Sequence, residues 1–137
     1  MKSCVRKLKN IYKNLKYADY NSTDFRYNLK KAGVKEGDSL YIMCSANNIK
    51  QKTNRTPPVH IILKDVLKVI GEKGTLMTLA FPMNRDQLIS GEEQFHWKKS
   101  ISSNGIFTEL IRRKKESIRS LNPIYNVVAY GPKANKY

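Results

Sequence analysis

Cysteine is scarce in this chain. Cys4 and Cys44 are the only two, too few and too far apart for a disulfide framework or a cysteine-based metal site. Histidine is as rare. His60 and His96 stand alone, with no H-E-x-x-H run and no paired cluster of the kind zinc needs. Neither G-x-G-x-x-G nor G-x-x-x-x-G-K-S/T occurs, which removes the usual dinucleotide and P-loop phosphate cradles, and no G-x-S-x-G elbow supports a Ser-His-Asp triad. Long apolar runs are missing too: none approaches the roughly 20 residues of a membrane-spanning helix. The basic start is not followed by the apolar segment of about 7–15 residues that marks a secretory signal. These absences lead to the expectation of a cytoplasmic chain with free thiols, no bound metal and no membrane span.

Acidic residues are also few, 11 against 26 lysines and arginines, so the formal net charge is +15 over 137 residues. That length fits one domain by the usual prior of roughly 100–200 residues per domain. A surface this basic attracts nucleic acid, anionic membranes or a polyphosphate ligand. The cations are dense in the first 16 residues and at Arg112–Lys115 and scattered elsewhere, so a solvated basic surface is the plain alternative. Tyr12, Tyr17, Tyr20 and Tyr27 lie among these cations, and aromatics so placed can stack bases. That pattern keeps a non-catalytic binding module for nucleic acid or a partner protein as a second reading, although the known DNA and RNA signatures are absent.

Residues 1–20 form a basic amphipathic extension, with Val5, Leu8, Ile11, Tyr12 and Leu15 at helical spacing. A helix is expected to start at Ser22 or Thr23, to turn Phe25, Leu29 and Ala32 to one side, and to end at Gly33. Ser39–Ser45 reads as a buried strand and Ala46–Arg55 as a loop. Thr56 is expected to cap a second helix, with Pro57 or Pro58 in its first turn. Val59, Ile62, Leu63, Val66, Leu67 and Ile70 hold the clearest helical spacing in the chain. Gly71 and Gly74 bracket a turn into a buried strand, Thr75–Phe81. Residues 83–104 read as an irregular loop with an aromatic knot at Phe95, His96 and Trp97. Asn104 is expected to cap a third helix over about 106–116, with Ile106, Phe107, Leu110 and Ile111 inward, and Tyr125–Tyr130 to form the third strand. Alternating helices and apolar strands predict an α/β fold, a layered sheet flanked by helices on both faces.

Five segments in order resemble one family. Ala32-Gly33-Val34-Lys35-Glu36-Gly37-Asp38 leads into Tyr41-Ile42-Met43-Cys44-Ser45-Ala46. Gly71 to Leu76 enters a strand closed by Pro82. Gly105 to Arg112 carries Gly-x-x-x-Glu-x-x-Arg, Arg119 to Pro123 carries Arg-Ser-x-x-Pro, and Gly131 to Ala134 carries Gly-x-x-Ala. This order is similar to that of the aminoglycoside 3-N-acetyltransferases, whereas the pyrophosphate loop of the Gcn5-related acetyltransferases is absent.

The resemblance implies an enzyme fold that moves acetyl from acetyl-CoA to an amine of an aminoglycoside or amino sugar. Such a reaction needs a base for the amine, donors for the tetrahedral oxyanion, and basic or N–H-rich surface for the CoA phosphates. By the same resemblance Ser45, Ala46, Arg119 and Ser120 are the cofactor-binding candidates. Ser45 is read equally as a strand-end hydroxyl bonded to its own backbone, and Arg119 as a brace to carbonyls or Glu109. His96, Glu92 and Glu93 are the substrate-side candidates, the two acids attracting a polycationic acceptor; a solvated loop is the plain reading of all three. Cys44, Ala46 and Asn122 replace a His, a Ser and a His of the family pattern, and residues 47–58 contain no glycine. The family's catalytic His and its acidic partner lie in a second half. The expectation is therefore that residues 21–137 form the N-terminal half of an acetyltransferase-like domain: a truncated product, a diverged pseudoenzyme, or one part of a split enzyme completed by a separate C-terminal half or by a second copy. No residue is assigned the catalytic role.

Overall fold

The computed structural model describes residues 20–45 and 58–137. Among the described residues four helices, four strands and a closing 3-10 turn follow one another: α1 (Ser22–Lys31), β1 (Ser39–Tyr41), α2 (Pro58–Ile70), β2 (Thr75–Leu79), α3 (Arg85–Ser90), α4 (Ile106–Arg112), β3 (Ile118–Arg119), β4 (Val127–Tyr130) and the turn Ala134–Lys136. The strands form one mixed sheet in the order β1-β2-β4-β3. β1 and β2 run parallel, and β4 is antiparallel to both β2 and β3.

Register decides what faces what. Leu40 pairs with Leu76, Thr78 with Val128, and Val128 with Arg119, so these side chains share one face. Helices α2 and α4 cover it. Val59, Ile62, Leu63, Val66 and Ile70 of α2 join Leu76, Ala80, Phe107, Ile111 and Val128 in the buried core. Burying such side chains is worth about 1.5–3 kcal/mol each, which explains why α2 holds its helix without an acidic residue in its first turn. Among the described residues the opposite face is covered only at one end, where the 3-10 turn lies on β2 and β4 and Thr75, Ala129 and Ala134 are buried.

Several elements differ from the sequence reading. Asn21, not Ser22 or Thr23, caps α1: its Oδ1 accepts from Thr23 N at 2.8 Å and Asp24 N at 3.4 Å. Phe25 and Leu29 pack on the core, but Ala32 is exposed at the helix end. β1 is three residues of a half-exposed edge rather than a seven-residue buried strand. The expected loop 83–104 contains α3, which ends at Gly91 in the left-handed region, φ 79°. Asn104 does not cap α4; Gly105 occupies that position. Asn104 Oδ1 instead accepts from Phe81 N at 2.7 Å. Ile106 is 53% exposed, and Thr108 takes the inward place expected of it. The two-residue strand β3 was not expected at all. The loop at Ala46–Arg55, the Thr56 cap and the extension 1–19 lie outside the described residues.

α1 is fastened to α2 by a buried carboxylate. Asp65, 2% exposed, accepts from the Tyr20 hydroxyl at 2.7 Å and from Arg26 at 2.6 Å. Burial by itself would raise the Asp65 pKa, but hydrogen bonds from Ser22, Tyr20 and Arg26 outweigh it and hold the carboxyl below its usual range. Tyr20 is thus occupied in the helix junction, where it also meets Phe25 with ring centroids 5.3 Å apart, while Tyr27 is exposed.

Candidate functional site

The parallel strands β1 and β2 open at their C-terminal ends, where ligands of open α/β sheets bind. Met43, Cys44 and Ser45 follow β1, Thr78 and Leu79 come from β2, and Asn104 and Thr108 come from the entry to α4. They enclose a hollow of about 270 Å³. Thr108 Oγ1 donates to the Leu79 carbonyl at 3.1 Å and lies 3.3 Å from Thr78 Oγ1. Its one proton being used there, Thr108 must accept from Thr78. Both hydroxyls therefore brace the wall and offer a ligand only acceptor lone pairs. Asn104 is different. Its oxygen is fixed by the Phe81 N–H and the Ser102 hydroxyl, so its amide NH2 is the donor without a partner among the described residues. Met43 and Leu79 supply apolar surface. The Cys44 thiol is half-buried, and burial raises its pKa, so it is the neutral thiol that lines the hollow.

The residues singled out from sequence are not gathered in one place. Ser45 is exposed at the mouth of this hollow; Ala46 lies outside the described residues. His96 and Glu93 share a second hollow, of about 500 Å³, with Asn84, Gln87 and Lys99. Glu93 is hydrogen-bonded by the Asn84 amide, and His96 Nδ1 accepts from the backbone N–H groups of Lys98 and Lys99, each at 3.3 Å. Glu92 is exposed beside them. Ser120 Oγ accepts from Val127 N at 3.1 Å.

Arg119 is only 3% exposed, with its Nε donating to Asn126 Oδ1 at 2.8 Å. Its terminal nitrogens donate to the carbonyls of Ala80 and Ser100, and its guanidinium stands 5.0 Å from the Phe95 ring centroid. Burial first, and then the positive charge of Arg112, pull its pKa down to about 10. All its donor nitrogens serve the chain itself, which is the bracing arrangement that sequence left open beside phosphate pairing. The Glu-x-x-Arg motif also has a structural task. Glu109 receives Arg112 through two bonds, at 2.6 and 2.7 Å, and the Ser102 N–H at 2.8 Å. Burial opposes ionisation of Glu109, but these donors prevail and its pKa is lowered.

Sequence reasoning passed over Thr78, Thr108, Asn104 in this role, and Asn126, which is fully buried and also donates to the Asn122 carbonyl at 3.0 Å. The available signal was chemical: polar residues set among apolar ones at Thr78, Thr108 and Asn126 must find partners inside.

The sequence model of the aminoglycoside 3-N-acetyltransferases matches residues 42–137. The chain belongs to that family. No curated protein matches it. Among solved structures, aminoglycoside acetyltransferase AAC(3)-Xa superposes with a TM-score of 0.70 at 19% identity, over 87% of this chain and 46% of that one. AAC-IIIb in a binary complex with CoASH gives 0.69 at 20% identity, over 86% and 48%. YokD protein from Bacillus subtilis gives 0.70 at 20%, over 85% and 52%. At such identities the likeness establishes the fold. This member spans about half the length of the solved structures it matches. Among its described residues no helix is long and apolar enough to cross a membrane, and no cluster of three or more potential ligands could hold a metal.

Proposed function

We propose that this chain holds the acyl donor in the transfer of acetyl from acetyl-CoA to an amine of an aminoglycoside or amino sugar, an antibiotic-modifying type of reaction. The observation that carries the reading is the hollow between β1, β2 and α4 in a member of this family. It has apolar walls at Met43 and Leu79, an amide donor at Asn104 that no described residue engages, and a hydroxyl, Ser45, at its mouth. A thin arm of alternating methylenes and amides suits such walls. Family membership supports the acetyltransferase reaction, and the AAC-IIIb structure contains CoASH while an AAC-VIa structure is bound to sisomicin. The amine would approach from the side of His96, Glu92 and Glu93, where the two carboxylates favour a polycation. A half-buried free thiol at Cys44 accords with a reducing compartment, the cytoplasm.

In the reaction the amine nitrogen bonds to the thioester carbonyl, the C–S bond breaks, and the amine must lose a proton. None of the seven described residues lining the hollow is a histidine or a carboxylate. We therefore assign the proton acceptor to a group outside that described lining.

The test is isothermal titration of the 137-residue chain with CoA. Binding is expected, and Ser45→Trp, a change at an exposed position, should weaken it at least tenfold by filling the mouth. Unchanged affinity in that variant, or no binding at all, overturns the reading. A thiol-release assay with several aminoglycosides should show little or no turnover, and vigorous turnover would show that the chain has its own base.

A further inference from the structure

A different hollow carries an assignment of its own. It lies at the C-terminal end of α4, against the edge strand β3, and measures about 590 Å³, within the roughly 300–1,000 Å³ usual for small-molecule sites. Its lining is cationic: Lys98 and Lys99 from the loop before α4, Arg112 at the end of α4 with Arg113 and Lys115 just beyond it, and Arg119 from β3, with no aspartate or glutamate among the described residues that wall it. Helix C-termini attract cations, which accounts for Arg112 and Arg113. It does not account for Lys98 and Lys99, which a separate loop delivers to the same space.

The local charge is poorly balanced. Glu109 is the carboxylate in contact with this group, and it is engaged by Arg112 and Arg113 together. Arg119 is buried behind them with carbonyls and an amide oxygen as its partners, and Arg112's charge acts on it unfavourably. An anion entering the hollow would relieve that repulsion. Several linked negative charges are needed to meet cations spread over separate segments. Trp97, the only tryptophan of the chain, stands in the wall with Lys98 Nζ 4.7 Å from its ring centroid.

We propose that this hollow is a binding site for a small polyphosphate anion, recognised through its phosphate chain. The assignment does not rest on the acetyl-CoA reading, because the hollow between β1 and β2 shares none of these cations.

Tripolyphosphate, orthophosphate, ATP and CoA are titrated separately into the full chain at about 50 mM salt, following Trp97 fluorescence and heat. Tripolyphosphate is expected to bind with a sub-millimolar Kd, at least tenfold tighter than orthophosphate, with ATP within tenfold of it and with a change in Trp97 emission. The variant K99E/K115E reverses two exposed charges and should weaken tripolyphosphate at least tenfold. K30E/K31E changes the net charge equally at the exposed end of α1 and should weaken it less than twofold. Ser45→Trp should leave it unaltered. Absence of tripolyphosphate binding at millimolar concentration, equal loss in both charge-reversal variants, loss in Ser45→Trp, or binding of ATP and CoA without tripolyphosphate would each overturn the proposal.

Discussion

Replacing Arg119 by methionine separates a brace from a ligand-binding residue. The side chain ties three segments: the end of β2 through the Ala80 carbonyl, the loop before α4 through the Ser100 carbonyl, and the approach to β4 through Asn126 Oδ1. Methionine leaves those three acceptors without their donor. An unsatisfied buried polar group costs about 1–3 kcal/mol. Partly offsetting this, methionine no longer carries a cation into the interior, and well-packed apolar replacements of buried charges recover some stability. The expected net loss is about 2–4 kcal/mol, a large share of the 5–15 kcal/mol or so typical of a domain. At about 4 °C per kcal/mol for a chain of this size, Tm should fall by roughly 8–16 °C. Arg119→Lys should lie between, since one ammonium cannot span acceptors that a planar fork reaches. Hydrogen exchange should quicken in residues 95–102 of the methionine variant, because Arg119 is what holds the Ser100 carbonyl to the sheet. Thermal unfolding and exchange mass spectrometry together give the answer. The bracing role is refuted if Arg119→Met unfolds within about 0.5 kcal/mol of the parent, or if it keeps full stability while losing affinity for CoA.

Other consequences can be measured in the same way. Asp65→Ala should destabilise by about 2–4 kcal/mol, near the lower part of the range for breaking a buried ion pair because Arg26 is partly exposed, and a Tyr20→Phe cycle should show coupling between the two sites. Both Asp65 and Glu109 have lowered pKa values in the fold. Their contribution is thus complete above the unfolded carboxylate value near 4 and is lost as pH falls through the lower folded values; denaturant midpoints should drop below about pH 4, and less steeply in Asp65→Asn. Gly131→Ala should cost at least about 2 kcal/mol by chemical denaturation, because a Cβ there would come within 2.4 Å of the Gly74 carbonyl oxygen at a φ of +130°.

The parts of the fold legible in the sequence are those where one local rule acts alone. The i, i+3, i+4 spacing of Val59 to Ile70 names both the helix and its buried side, and all but Leu67 of those residues are buried. Gly71 and Gly74 mark the turn into β2 because the chain there needs φ +64° and has no room beside Ile70. Where two rules compete, the reading slipped by a residue or chose the wrong partner. Asn21, Ser22 and Thr23 can all cap a helix, and Asn104 can cap one or hold a neighbouring strand end. Short elements were hidden altogether. β3 exists only because Ile118 and Arg119 find Ala129 and Val128, a pairing that no local pattern contains. The hollow at β1 and β2 was legible only at Ser45, from the strand end. Thr78 and Thr108 enter it through the packing of α4 on the sheet, thirty residues away in sequence.

The strand order has a consequence for how the chain is made. β2 lies inside the sheet, yet its antiparallel neighbour pairs Val128 with Thr78, about fifty residues further along. While the ribosome is still adding those residues, one flank of β2 has unpaired peptide groups and a hydrophobic surface beside them. Sheets closed by such distant pairings form slowly, and nascent strands left open in this way invite association with other chains. Slower synthesis at low temperature, or a chaperone supplied early, should therefore raise the soluble yield more than any change to the finished surface.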